Sequence, residues 1–204
     1  MKVNYLLLGA ALAAATLYII YSLGGGDSEA AYKNTISKER EEKDLLMKGD
    51  KALFGDAPER FQGLKYFEPD MKYRVSAKLT TISKGNVITL TTNDGLEKKY
   101  LEYGYAHFSL DGIKNKLLIL EVMDAGPYRG TLFLAFADAT SANETYGAGR
   151  YLDIKKVPGS SSVLLDFNKA YNPYCAYFSH YSCPFPPREN ILQVAIRAGE
   201  MNYH

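Results

Sequence analysis

The side chains best suited to hold a ligand lie in the last third of the chain, between residues 145 and 190. They share the ability to bind an anion or a polar group: Arg150, Asp166, Asn168, Tyr171, Asn172, Glu189 and Asn190. Arg150 follows Gly147-Ala148-Gly149, a turn in which glycine permits close approach of a ligand or of another backbone segment. The third glycine of a dinucleotide fingerprint is missing here, so that kind of nucleotide binding is not predicted.

These side chains allow three interpretations, two of which concern Arg150, because a guanidinium matches a carboxylate or another anion through two parallel hydrogen bonds. In the first, it pairs within the fold with Asp138, Asp166 or Glu189. In the second, it faces a cleft and binds an anionic or polar ligand, with Tyr171 and Asn172 beside it. A third interpretation makes Asp166 or Glu189 a general base, as in a hydrolase. A neutralised Arg150 and tyrosine walls would favour binding, whereas unpaired carboxylates would favour an enzyme.

The two cysteines of the chain, Cys175 and Cys183, belong to the same segment. In an oxidising compartment a disulfide between them is chemically allowed, and two reduced, buried thiols are the alternative. His180 lies between them and adds another metal-ligand type, but a structural zinc site takes four ligands and no fourth is evident. No metal and no cofactor are therefore predicted, and the disulfide remains a candidate.

The elements that must position these side chains follow from the periodicity of the chain. Apolar and polar residues alternate over residues 73–80 and 192–197, residues 96–110 form a further predicted strand, and β-branched or apolar runs cover 87–92, 117–123 and 131–137. Asn93-Asp94-Gly95 and Asp111-Gly112 are hairpin turns, because glycine accepts the positive φ that such turns require. We predict a mainly β domain over residues 59–204, an antiparallel β-sandwich or small barrel with a bend near Gly104.

The stretch from residue 166 to residue 190 has neither strand nor helix periodicity and is rich in proline and tyrosine. Fixed proline φ angles and ring packing favour a long ordered loop, and loops of this kind are often functional. We expect it to fold onto the sheet, either as a plain cover or as one wall of a cleft framed by residues 145–190.

The amino-terminal residues 1–23 are predicted to form a signal anchor, because residues 5–23 contain no charge and just span a hydrocarbon core as a helix. A cleaved signal peptide is the alternative, which would make the protein secreted or periplasmic. Residues 24–58 form a predicted linker with a short polar helix, whose charged surface we interpret as solvated. The expected location is a single-pass membrane protein with its folded domain outside the cytoplasm.

The charge balance excludes one class of partner. Lys and Arg number 24 and Asp and Glu number 23, so the formal net charge is +1. Nucleic-acid binding needs a basic surface that neutralises phosphates, and none is predicted here. The predicted partners are the membrane, through the amino-terminal helix, and a small molecule or an envelope protein.

The last third also carries a resemblance to a known family. Residues 145–153 (TYGAGRYLD), 165–177 (LDFNKAYNPYCAY), 182–190 (SCPFPPREN) and 198–200 (AGE) are similar to the signature of the domain of unknown function 1684 family, as is 132–140 (LFLAFADAT). The chain resembles its short, membrane-targeted bacterial form. The resemblance implies a single β-rich domain over roughly residues 60–200 and no established activity.

Together these observations predict a membrane-anchored protein outside the cytoplasm. It would bind a small polar or anionic ligand, or an envelope partner, at the cleft framed by residues 145–190. A hydrolase acting at the same cleft and a purely structural envelope component are the alternatives.

Overall fold

The computed structural model describes residues 28–49, 61–178 and 180–203. The chain divides into two compact units, Met1–Thr35 and Ile36–His204. The predicted membrane segment, residues 5–23, lies outside the described residues. Within the described ranges, no helix is both long and apolar enough to cross a bilayer.

The helix α1 spans Glu29–Gly49, a stretch rich in helix-forming residues. In the first unit, Ser28 Oγ accepts the Ala31 N–H at 3.2 Å, which satisfies one of the free amides at the start of the helix.

The part of α1 in the second unit differs from the solvated helix that the sequence predicts. Met47 is buried, whereas Leu45 and Leu46 are exposed. Long basic side chains make the remaining contacts: Arg40 donates to the Phe67 carbonyl oxygen at 2.8 Å and to the Asn168 carbonyl oxygen at 3.2 Å. Apolar periodicity missed this packing because charged side chains with long apolar stems mediate it.

The second unit is built on one antiparallel sheet of seven strands. The strands are β1 (Arg74–Thr81), β2 (Val87–Thr91), β3 (Glu97–Leu110), β4 (Ile113–Val122), β5 (Leu132–Phe136), β6 (Arg150–Ile154) and β7 (Ser162–Asp166). Their order is β6-β5-β4-β3-β1-β7, and β2 pairs with β3. The mainly β, antiparallel prediction is confirmed, and the sheet is a curled half-barrel.

The bend predicted in β3 is a register shift between Glu102 and Gly104 in the pairing with β4. Glycine is required there, because a Cβ at position 104 would lie 2.7 Å from the Thr80 carbonyl oxygen. The strand predicted over residues 192–197 is absent. That segment instead runs beside the end of β5, with Leu192 N–H donating to the Ala137 carbonyl oxygen at 2.8 Å. Its alternation still reflects burial, since Leu192, Val194 and Ile196 are buried.

The main core lies on one face of the sheet. It consists of inward-facing strand residues together with buried residues from the segments 167–170 and 192–198. Strand β4 is apolar on both faces, because Leu118 and Leu120 belong to a second buried cluster, with Leu90 and Tyr100, on the opposite face. Both faces are therefore covered, and the second face carries the cavity described next.

Candidate functional site

A cavity of about 720 Å³ lies against the sheet face opposite the main core. Side chains alternate across a strand, so the residues that flank core positions point into it. Lys98 and Tyr100 enter from β3, Phe133 from β5, and Tyr151 and Asp153 from β6. The remaining walls come from the second unit's part of α1, Tyr66, the end of β4 with the β4–β5 connection, which includes Asp124 and Tyr128, and the carboxy-terminal segment. The volume is in the range of small-molecule sites.

Aromatic side chains dominate the walls of this cavity. They are Tyr66, Tyr100, Tyr128, Phe133, Tyr151, Tyr171, Tyr174 and Tyr177. Four of these rings form a continuous chain: Tyr100 stacks on Phe133 with ring centroids 5.3 Å apart, Phe133 meets Tyr151 edge-on at 4.8 Å, and Tyr151 meets Tyr171 edge-on at 6.0 Å. Such offset and edge-to-face contacts fix the rings in place.

The hydroxyl groups of the buried tyrosines are also held. Tyr151 OH donates to the Pro184 carbonyl oxygen at 2.7 Å, and Tyr171 OH donates to Asp153 Oδ1 at 2.9 Å. Tyr177 OH donates to Glu200 Oε2. Burial raises the pKa of all three tyrosines well above its ordinary value. The aromatic walls are therefore preformed and neutral at physiological pH.

Glu200 is the polar centre of one wall and is almost completely buried. Its Oε1 accepts from Lys43 Nζ at 2.5 Å, and its Oε2 accepts from the Asn172 N–H at 2.8 Å and from Tyr177 OH. The Lys43 ammonium also lies 4.7 Å from the centre of the Tyr171 ring. A buried carboxylate is stable only when it is paired and hydrogen-bonded, and Glu200 satisfies both conditions.

Lys98 differs from Lys43 in its partners. Its Nζ donates to the Ser182 carbonyl oxygen at 3.0 Å, and no carboxylate of the described residues lies within ion-pair distance. Its half-buried position at the cavity wall leaves two ammonium donors for another group. The cavity thus combines an aromatic body with one lysine, Lys98, that makes no ion pair with a described carboxylate, and the carboxylates of Asp124 and Asp153 also line its wall.

The structure places Arg150 away from this cavity. Arg150 is 1% exposed, and its Nη2 donates to Asp138 Oδ2 at 2.7 Å and to the Ile196 carbonyl oxygen at 2.8 Å. Its Nη1 donates to the Ala198 and Glu200 carbonyl oxygens. Burial lowers the pKa of Arg150, and the nearby Asp138 charge opposes that effect. Arg150 therefore pairs with Asp138 inside the fold, as the first interpretation predicts, because protein atoms surround its guanidinium.

Two further predicted site residues, Asp166 and Asn190, stabilise the fold outside the cavity, and a third, Glu189, lies on the surface. Asp166 Oδ1 accepts the Asn168 N–H at 3.3 Å and so caps the 3-10 helix Phe167–Lys169. Asn190 is fully buried; its Oδ1 accepts the Leu118 N–H at 2.7 Å, and its Nδ2 donates to the Leu118 and Ala135 carbonyl oxygens. Glu189 is exposed and does not line the cavity.

The other predicted residues, Asn168, Tyr171 and Asn172, do line the cavity. The Asn168 Oδ1 accepts the Asp70 N–H at 2.9 Å, and its Nδ2 donates to the Asp70 carbonyl oxygen at 2.8 Å. Asn172 is buried, and its Nδ2 donates to the Met201 carbonyl oxygen at 2.8 Å, while its Oδ1 has no hydrogen-bond donor within the described residues.

Both cysteines are free thiols in the structure, Cys183 buried and Cys175 half-buried. The Cys175 N–H donates to Cys183 Sγ at 3.3 Å, so the two residues lie against each other. The described residues contain no cluster of three or more metal-ligating side chains.

The sequence interpretation missed Lys43, Lys98 and Glu200. The alternation in β3 could have placed Lys98 beside Tyr100 on one face. Glu200 lies in the Ala198–Glu200 motif, which resembles the family signature, but that resemblance assigns no function to Glu200. No local pattern brings Lys43 to Glu200, because 157 residues separate them.

Comparison with known proteins gives a family and a solved relative. No curated protein matches the chain. A solution NMR structure of an uncharacterized protein from gene locus rrnAC0354 of Haloarcula marismortui is 33% identical, with a TM-score of 0.63. The match covers 83% of this chain and 94% of the archaeal chain. The family model described as protein of unknown function, DUF1684, matches residues 59–201, and the chain therefore belongs to that family.

Proposed function

We propose that this protein binds a small molecule in the aromatic cavity, and that the ligand has a flat apolar body and one anionic group. The observation that carries the proposal is the chain of rings from Tyr100 to Tyr171 beside the unneutralised ammonium of Lys98. Ligand sites commonly combine an apolar wall with a few placed polar groups.

The rings support a flat apolar body as the main recognition element. Phe133, Tyr151 and Tyr171 present carbon surface to the cavity, and the tyrosine hydroxyls are already bonded to protein atoms. A ligand ring can stack on such a wall without leaving a buried hydroxyl unpaired.

Lys98 supports an anionic group on the ligand. Lys43 is neutralised by Glu200 at 2.5 Å, whereas the one partner of Lys98 among the described residues is a backbone carbonyl oxygen. An anion placed beside Lys98 would gain charge-assisted hydrogen bonds in a partly desolvated position.

Glu200 is not available as the general base of a hydrolase. A general base must reach the proton that it removes from substrate or water. Glu200 is buried and already accepts hydrogen bonds from Lys43, Asn172 and Tyr177, so it stabilises a wall of the cavity.

The proposal includes a location. The uncharged segment over residues 5–23 would hold the binding unit at a membrane, with the cavity outside the cytoplasm. Protease added to intact cells should then remove the folded part. Full protection of the folded part, together with an accessible amino terminus, would reject this location.

Three small probes test the binding proposal on the full chain in lipid nanodiscs, with empty nanodiscs as the blank. Naphthalene-2-sulfonate carries a flat body and a charge, naphthalene-2-sulfonamide carries the body alone, and sulfate carries the charge alone. Calorimetry should detect binding of the sulfonate. The affinity for the sulfonamide should be about tenfold lower, a difference of ~1.4 kcal/mol in binding free energy. Sulfate should give no binding heat. Equal, weak heats for all three probes would reject the proposal.

A pair of lysine variants makes this test specific. Lys98→Gln should weaken the sulfonate about tenfold and leave the sulfonamide unchanged. Lys99→Gln is the matched control, because Lys99 is exposed and lies on the opposite face of β3. A similar effect of both substitutions would indicate general electrostatic attraction instead of a site.

A further inference from the structure

The two cysteines meet at the edge of the cavity. Cys183 is 8% exposed and lines the cavity. The Cys175 N–H donates to Cys183 Sγ at 3.3 Å, which places the two residues against each other. Cysteines brought together in this way are candidates for a disulfide bond.

Each cysteine is fixed to a different part of the fold. The Cys183 N–H donates to Asn93 Oδ1 at 2.7 Å, and its carbonyl oxygen accepts the Asn93 N–H at 3.1 Å. Cys175 belongs to the 3-10 helix Tyr174–Ala176, and its sulfur lies 3.8 Å from Tyr146 OH. A bond between the sulfurs would therefore tie the turn after β2 to the segment that carries two cavity tyrosines, Tyr174 and Tyr177.

The chemistry of Cys183 suits thiol–disulfide exchange, in which a thiolate is the attacking group. The hydrogen bond from the Cys175 thiol lowers the pKa of Cys183 to about 7; burial opposes this, and the Lys98 charge adds to it. The same hydrogen bond, together with burial, raises the pKa of Cys175. The pair thus has one nucleophile and one resolving thiol.

We propose that Cys175 and Cys183 form a reversible dithiol–disulfide pair whose oxidation state sets the affinity of the cavity for its anionic ligand. The oxidant is a low-molecular-weight disulfide. The Cys183 thiolate attacks one sulfur and releases one thiol, and Cys175 then displaces the second thiol from the mixed disulfide. One S–S bond forms in the protein, its two thiols lose two protons and two electrons, and the oxidant is reduced to two thiols.

Oxidation should tighten ligand binding for two reasons. The bond prevents a negative charge on Cys183, which lines the cavity next to Ser182, the residue whose carbonyl oxygen binds Lys98. It also ties the 3-10 helix that carries Tyr174 to the turn after β2, which reduces the cost of ordering that part of the wall on binding. The coupling rests on the proposed function, whereas formation of the bond does not.

The first experiment tests the bond alone. Full chain in nanodiscs is treated with excess glutathione disulfide, and the intact mass is measured before and after alkylation with and without reductant. The expected product has lost two hydrogens and resists alkylation until it is reduced. The Cys175→Ser variant should instead stop as a glutathione adduct on Cys183. A stable adduct on the unmodified chain, or two thiols that stay alkylatable, would overturn the proposal.

The second experiment tests the coupling. The affinity for naphthalene-2-sulfonate is measured on the oxidised and the reduced chain, with the double variant Cys175→Ser/Cys183→Ser as the redox-insensitive control. The oxidised chain should bind at least threefold more tightly, and the control should not respond to oxidant. Equal affinities of the two forms would overturn the coupling. Failure of both forms to bind would count against the proposed function, and the mass result would still stand.

Discussion

Arg150 and Asp138 form a buried ion pair, with Arg150 Nη2 lying 2.7 Å from Asp138 Oδ2 and both side chains almost completely excluded from solvent. The guanidinium also bonds to three carbonyl oxygens, those of Ile196, Ala198 and Glu200. The pair thus connects β6, the end of β5 and the carboxy-terminal segment that carries Glu200 into the cavity. Its role is to hold the wall, and neither residue lines the cavity.

Substitution of this arginine should lower the free energy of unfolding. Arg150→Ala leaves the Asp138 charge buried without a partner, and breaking such a pair costs about 3–5 kcal/mol. Urea denaturation followed by circular dichroism should show the corresponding fall in the unfolding midpoint. Arg197→Ala is the control, because its ion pair with Glu144 at 2.8 Å is exposed and should change the midpoint little. Equal midpoints for the two variants would contradict this account of Arg150.

Asn190 should be as important to stability as a core residue. Its side chain satisfies the backbone of Leu118 and the carbonyl oxygen of Ala135 in the interior of the sheet. Asn190→Ala leaves these groups buried without partners, so the free energy of unfolding should fall by more than about 2 kcal/mol. Asn115→Ala removes an exposed bond to the Ile113 carbonyl oxygen and should have little effect. An Asn190→Ala midpoint close to that of Asn115→Ala would refute this role.

The strands β1 to β5 could be predicted from the sequence because their alternation and their turns are local properties. Strands β6 and β7 were missed. Four of the five residues of β6 are buried, so it shows no alternation, and β7 is defined by its pairing with β1, which is distant in the sequence. The segment 192–197 shows the reverse error, since its alternation reflects burial against the core without ladder pairing.

The site was less predictable than the fold. The tyrosines of the last third were expected to cover the sheet, and Tyr171 and Asn172 do line the cavity. The burial of Arg150 depends on carbonyl groups supplied by residues 196–200, which no spacing in the sequence brings to it. Lys43 lies in a helix whose charges were indistinguishable from those of a solvated surface.

Gly199 should be irreplaceable for a steric reason. It has φ +74°, and a Cβ there would lie 2.5 Å from the Ala170 carbonyl oxygen. Gly199→Ala should therefore lower the free energy of unfolding by more than the about 1–2 kcal/mol that a left-handed backbone conformation alone costs. It should also weaken sulfonate binding, because it displaces Glu200. Gly159→Ala is the matched control, with φ +73° and open space around it. Thermal unfolding of both variants decides the point, and equal losses would show that the close approach is unimportant.

Stability should fall at alkaline pH. Burial raises the pKa of Tyr100 to about 12 and that of Tyr151 and Tyr171 further, whereas the unfolded value is 10.0. The folded state therefore keeps protons that the unfolded state loses, so stability is complete below pH 10 and declines as the pH rises above it. Tyrosinate absorbance and circular dichroism should change together above pH 10. Complete ionisation of all tyrosines near pH 10 with an unchanged fold would contradict the buried walls.

Occupation of the aromatic cavity beside Lys98 is tested most directly by NMR of lysines methylated with a ¹³C label, in the full chain in nanodiscs. Lys98→Arg and Lys43→Arg variants assign the two cavity signals. On addition of naphthalene-2-sulfonate, the Lys98 signal should shift most. The Lys43 signal should shift with the same dependence on probe concentration, and the Lys99 signal should not shift. A shift of Lys99 as large as that of Lys98, or no shift of Lys98 at saturating probe, would contradict this prediction.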